Sequence, residues 1–106
     1  MNTGNQERFA MQYLILKAEP KKGNVLAKKY LGATVGYWIK DQSCKNAYYI
    51  AKGLIEDEGW DVLSLEEQYP VEAATYKNES EGKAYYEQAL QDEEVLVFYA
   101  FTEKTL

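Results

Sequence analysis

The chain has no histidine, so it lacks the commonest catalytic base. A serine or cysteine nucleophile would need a lysine, a carboxylate or a terminal amine beside it instead. The one cysteine, Cys44, falls in the first turn of an expected helix, where the helix dipole lowers a thiol pKa. It also opens that helix's apolar stripe, and a packed, structural thiol is the expected state. Lys17 lies in an otherwise apolar stretch, where desolvation would lower its pKa, but its place near a strand end lets the amine reach solvent. The seven glycines are scattered and form neither G-x-G nor G-K-[ST], so no phosphate loop of the Rossmann or P-loop kind is present. Zinc ligand sets need histidine or several cysteines, and the D-x-D-x-D-G calcium loop is also missing. No catalytic residue, metal site or cofactor is expected, which argues against an enzyme.

Ten tyrosines and two tryptophans in 106 residues are more aromatic surface than a core of this size must hold. Tyr37, Trp38, Tyr48, Trp60, Tyr85 and Tyr99 are therefore candidates for an aromatic surface or pocket. Tyrosine gives large amphipathic contact at small entropy cost, which suits a protein-binding surface. The neighbours Tyr48-Tyr49 and Tyr85-Tyr86 each place one ring toward a helix's inner face and the other toward its rim. An alternative is a small-molecule pocket between sheet and helices, lined by Tyr37, Tyr48, Tyr85 and Tyr99. Gly36-Tyr37-Trp38 resembles the aromatic part of an RNA-recognition signature, but the basic flank is missing.

Two acidic runs stand out. Glu56-Asp57-Glu58 falls in the last turn of the first expected long helix, and Asp92-Glu93-Glu94 at the end of the second. Carboxylates beside the negative end of a helix dipole cost on the order of 0.3–1 kcal/mol each at low salt. The same fault at two helix ends makes these six residues a candidate surface for a basic protein partner. With a net charge of −5, the chain as a whole repels nucleic acid and anionic lipid. Lys21, Lys22, Lys28 and Lys29, the nearest thing to a basic patch, read as a solvated loop face. The functional expectation is a non-catalytic protein-binding module, an inhibitor or regulator of the immunity or antitoxin type in character, either monomeric or a small homo-oligomer.

These residues must be positioned by one domain spanning 1–106, since the length suits one core and 46% hydrophobic with 27% charged residues is ordinary globular usage. Residues 1–8 read as a flexible tail. A single cysteine, no signal-peptide core and no apolar run long enough to span a bilayer point to the cytoplasm.

Phe9 to Ala18, rich in β-formers and interrupted on one face by Gln12, predicts a strand that reads as interior, although the sequence does not decide whether it is central or at an edge. Asn24 caps a short helix that Gly32 stops. Ala33 to Lys40 alternates as a second strand. From a cap at Asp41 or Ser43, Cys44, Ala47, Tyr48, Ala51, Leu54 and Ile55 form a helical stripe that Gly59 ends. Trp60 to Leu65 is a third strand, Val71 to Tyr76 a further short one, and Asn78 with Glu81 a capping box opening a second helix. Val95 to Phe101 is apolar on both faces, as in a central or doubly covered strand. The resulting expectation is α+β: a ferredoxin-like two-layer sandwich, βαββαβ from residue 33 onward, with an extra N-terminal strand and both helices on one face of a mainly antiparallel sheet. In that arrangement the two acidic runs lie at opposite ends of the molecule.

Overall fold

Alternation dictates the first element. Along Arg8–Pro20 (β1), Leu14, Leu16 and Ala18 are buried toward one side of the sheet, and Met11, Tyr13 and Ile15 face the other. The computed structural model describes residues 7–76 and 81–102. These form β1, β2 (Gly32–Ser43), α1 (Cys44–Asp57), β3 (Trp60–Pro70), α2 (Glu81–Asp92) and β4 (Glu94–Phe101), with 3-10 turns at Val25–Lys28 and Ala73–Tyr76. The expected tail and Asn78 of the capping box lie largely or wholly outside the described residues. The sheet has the order β3-β1-β2-β4, and every neighbouring pair is antiparallel.

The α+β class is as expected, but the ferredoxin-like arrangement is not. Val71–Tyr76, the strand that plan requires, contains a 3-10 turn, while Phe9–Ala18, expected as an addition, lies inside a central strand. The helices also take opposite faces. Ala47, Ala51 and Ile55 of α1 pack with Leu14, Leu16, Val35, Tyr37 and Ile39; Ala89, Tyr85 and Tyr86 of α2 pack with Met11, Tyr13, Trp38, Val95 and Val97. Consecutive residues such as Tyr37 and Trp38 thus belong to different cores, because successive strand side chains point to opposite sides.

Local chemistry explains the helix boundaries. Of the two expected caps, Asp41 and Ser43, it is Ser43 that accepts a hydrogen bond from the Asn46 N–H at 3.2 Å. Gly59 ends α1 at φ +96°, and a Cβ there would stand 2.7 Å from Asn24 Nδ2, so both conformation and space call for glycine. Trp60 then folds back into the α1-side core. Helix α2 stops with Glu93 at φ +79°, where glycine is usual; the Glu93 N–H reaches the Ala89 carbonyl, and Lys40 Nζ donates to the Leu90 carbonyl at 3.0 Å.

Gln12, buried on the α1 side, is fully engaged. Its amide donates to the Gln42 carbonyl at 2.7 Å and accepts from Gln68 Nε2 at 2.9 Å, and Gln68 also donates to the Cys44 carbonyl. This network ties three strands to the start of α1. Cys44 itself is exposed, which corrects the expectation of a packed thiol: the inward stripe begins at Ala47. Val95–Phe101 lies in an edge strand and is not central; the other reading, a strand covered on both faces, holds for its first half, since Val95 and Val97 pack on the α2 side and Leu96 and Phe98 on the α1 side. Among the described residues no helix is long and apolar enough to cross a membrane.

Candidate functional site

The two helices cover the sheet unequally. Helix α1 lies across β1, β2 and β3, whereas α2 packs on β2 and β4. On the α2 side, much of the β1–β3 strip is therefore left without a helix among the described residues, and aromatic rings gather along its border. Tyr13 and Tyr69 are paired across β1 and β3 with ring centroids 5.7 Å apart, edge to face. Tyr13 stacks on Trp38 of β2 at 4.4 Å, and Trp38 meets Tyr85 of α2 at 5.1 Å. Gly36 makes the close stacking possible: a Cβ there would come within 3.3 Å of Trp38 and 3.4 Å of Tyr13. The indole N–H of Trp38 donates to the Tyr76 hydroxyl at 3.1 Å.

Tyr13, Trp38, Tyr69, Tyr76, Tyr85 and Tyr99 line one groove with Glu81 and Gly82, its cavity volume about 220 Å³. Tyr69 and Tyr99 are 39% and 42% exposed, so the rings at the border are open to solvent. Electrostatics follow from this placement. Burial, then the neighbouring Tyr69 and Tyr76 and the carboxylates Glu67 and Glu81, raise the Tyr13 hydroxyl above its ordinary pKa. Burial, Tyr76 and Glu67 do the same at Tyr69. Tyr99 is pushed up to about 12 by desolvation of its hydroxyl, then by Glu81 and a hydrogen bond with Tyr85, although much of its ring edge is exposed. Glu67 and Glu81 are the carboxylates beside these phenols. Aromatic faces bordered by carboxylates attract cations.

The six aromatic candidates do not form one site. Trp38, Tyr85 and Tyr99 belong to the groove. Tyr37, Tyr48 and Trp60 lie on the α1 side: Tyr37 and Trp60 in its core, Tyr48 packed against it. A pocket lined jointly by Tyr37, Tyr48, Tyr85 and Tyr99 is thus ruled out, because the sheet separates them. Buried Tyr37 donates to Glu94, and burial together with that carboxylate holds its pKa far above the ordinary value. Tyr49 is at the rim at 58% exposed, as its pairing with Tyr48 predicts, but Tyr85 and Tyr86 are both half-buried against the α2-side core. The sequence does not mark Tyr13, Tyr69, Tyr76, Glu67 and Glu81 as parts of one site with Trp38; the signal for the stack is Gly36, two residues before Trp38 on one strand face.

The acidic runs sit at the two helix ends, and at opposite ends of the molecule. Helix α1 finishes where β3 begins beside Pro20, while α2 finishes where Glu94 pairs with Ile39. Several of the carboxylates have local partners. Glu56 binds Lys52 at 2.6 Å one helical turn back, Asp92 accepts from Gln88, and Glu94 from Tyr37. Asp57, Glu58 and Glu93 are exposed. Lys21, from the basic loop, pairs with Asp61 at 2.9 Å, and Lys17 is exposed. Among the described residues no cluster of three or more histidine, cysteine or carboxylate side chains is arranged to hold a metal ion. No family model, curated protein or solved structure matches the chain.

Proposed function

We propose that this chain is a non-catalytic protein-binding module whose tyrosine-lined groove takes a basic side chain of its partner. The observation that carries the reading is the convergence of six aromatic rings with Glu81, and with Glu67 nearby, along the border of the strip of sheet that α2 leaves open. A lysine or arginine entering there meets ring faces and two carboxylates together, and the guanidinium or ammonium need not be fully stripped of water. The exposed carboxylates Asp57, Glu58 and Glu93 lie outside the groove and add to the net negative field, which speeds encounter with a basic surface rather than holding it. A small-molecule site is the weaker reading, because a cavity of about 220 Å³ is below the roughly 300–1,000 Å³ in which drug-sized ligands are buried.

The test is titration with an arginine- and lysine-rich peptide, followed by the fluorescence of Trp38 and by calorimetry. A cation over aromatic faces contributes about 0.5–2 kcal/mol, so Tyr69→Ala, Tyr99→Ala or Glu81→Gln should each weaken binding about 2- to 30-fold. Added salt should weaken it further. Peptide binding that none of the three substitutions changes, or no binding at low salt, would overturn this reading.

A further inference from the structure

Strand β4 is an edge strand with the composition of a central one. Val95–Phe101 carries no charge and no proline. Val95 and Val97 pack toward α2, Leu96 and Phe98 toward the α1-side core, and the register with β2 runs from Gly32↔Phe101 to Ile39↔Glu94 without a shift. On the α1 side, α1 packs mainly on the other three strands, and Ala100 and Phe101 are exposed. The opposite edge of the same sheet is built differently. Strand β3 carries Asp61, Glu66, Glu67 and Pro70, and its pairing with β1 shifts register twice. Charges, proline and bulges are the devices that keep an edge from pairing with another chain, and here they all lie on one edge.

The backbone of β4 is also oriented for pairing. The Lys40 N–H donates to the Glu93 carbonyl at 3.0 Å and the Leu31 N–H to the Phe101 carbonyl at 2.9 Å, so the odd-numbered groups turn toward β2. By the alternation of an antiparallel ladder, the N–H and C=O of Leu96, Phe98 and Ala100 turn outward.

We infer that β4 pairs antiparallel with β4 of a second copy of this chain, joining two four-stranded sheets into one continuous sheet. The occupant is a second copy because the strand is self-complementary. Antiparallel pairing about a two-fold axis sets Leu96, Phe98 and Ala100 against the same set, and places the one charged residue, Glu94, at the far end of each strand, where Tyr37 already engages it. The assembly closes at two, because among the described residues each chain offers one unguarded edge. The two-fold axis stands perpendicular to the sheet, so both aromatic grooves face the same side and a partner with two basic segments can engage both.

Sedimentation equilibrium of the full chain tests this. The expected result is a dimer that tightens with added salt, because each copy carries a net charge of −5. Ala100→Pro removes an outward N–H without touching the ladder to β2, and Ala100→Lys puts a charge on the exposed edge. Each should weaken the dimer at least about tenfold with unchanged circular dichroism; if the proline variant loses structure, the lysine variant decides. Tyr69→Ala, which tests the groove, should leave the dimer intact. A monomer at about 100 μM, well above a micromolar Kd, would overturn the inference. So would a dimer that both Ala100 variants leave unchanged, one that salt weakens, or assembly beyond two copies.

Discussion

The two faces of this sheet are built from the same strands and end in different states. On the α1 side, Leu14, Leu16, Val35, Tyr37, Ala47, Ala51 and Ile55 are all fully buried. On the α2 side the fully enclosed set is small, Met11, Trp38, Val71 and Ala89, and half-buried tyrosines surround it. The difference lies in where each helix rests. A helix laid over three strands seals one face; a helix over β2 and β4 seals part of the other and leaves rings at the boundary. Aromatic side chains suit such a boundary, having an apolar body and a hydroxyl that tolerates water. One face is therefore sealed, and the other leaves aromatic rings open to solvent.

That contrast is broken most directly by truncating one residue on each side. Ile55→Ala should cost about 2–5 kcal/mol in urea unfolding, since the α1 side has no room to collapse around the lost methyls. Tyr99→Ala on the α2 side should stay within about 1 kcal/mol, as expected for a boundary residue whose removal leaves no sealed cavity. Equal losses at the two positions would remove the distinction.

A smaller effect is expected at Gln12, the polar residue inside the sealed face. Gln12→Ala leaves the Gln42 carbonyl without its side-chain donor and the Gln68 amide with the Cys44 carbonyl alone, and should cost about 1–3 kcal/mol. Amide exchange should then speed at the start of α1, which Gln68 also holds. No change in stability would mean that water replaces the network without loss.

Alkaline pH gives the mildest and most selective comparison. Tyrosines whose folded pKa lies above the unfolded value of 10.0 bind protons more tightly in the native state. Their contribution to stability is therefore complete below pH 10 and is lost as pH rises through the folded pKa. Tyr99, on the open face, should form phenolate near pH 12 while the chain is still folded; Tyr37, held by burial and Glu94, should ionise only on unfolding. Phenolate absorbance against circular dichroism, compared between Tyr37→Phe and Tyr99→Phe, separates the two. Coincident transitions for both residues would contradict it.

Much of the local structure was legible from residue order. Ser43 and Gly59 bracket α1 because a side-chain cap and a left-handed glycine act within a few residues, and Asn24 caps its short turn for the same reason. Richness in β-formers marks β1 and period-two alternation marks β2, and the carboxylates at both helix ends are where their spacing puts them. The candidate site was half legible: Trp38, Tyr85 and Tyr99 were named, but Tyr37, Tyr48 and Trp60 were grouped with them. Alternation shows that Tyr37 and Trp38 point apart; it does not show which helix waits on each side.

What the sequence by itself determined is the set of elements and their inner stripes, because caps, turns and periodicity are short-range. Tertiary structure alone decided the strand order, the opposite placement of the helices, the exposure of Cys44 and the edge position of β4. Each of these depends on contacts between residues far apart in the chain, such as Tyr13 with Tyr69 and Ile39 with Glu94. The apolar composition of Val95–Phe101 states that both its faces prefer burial; only the sheet order shows that one of its edges is left unpaired.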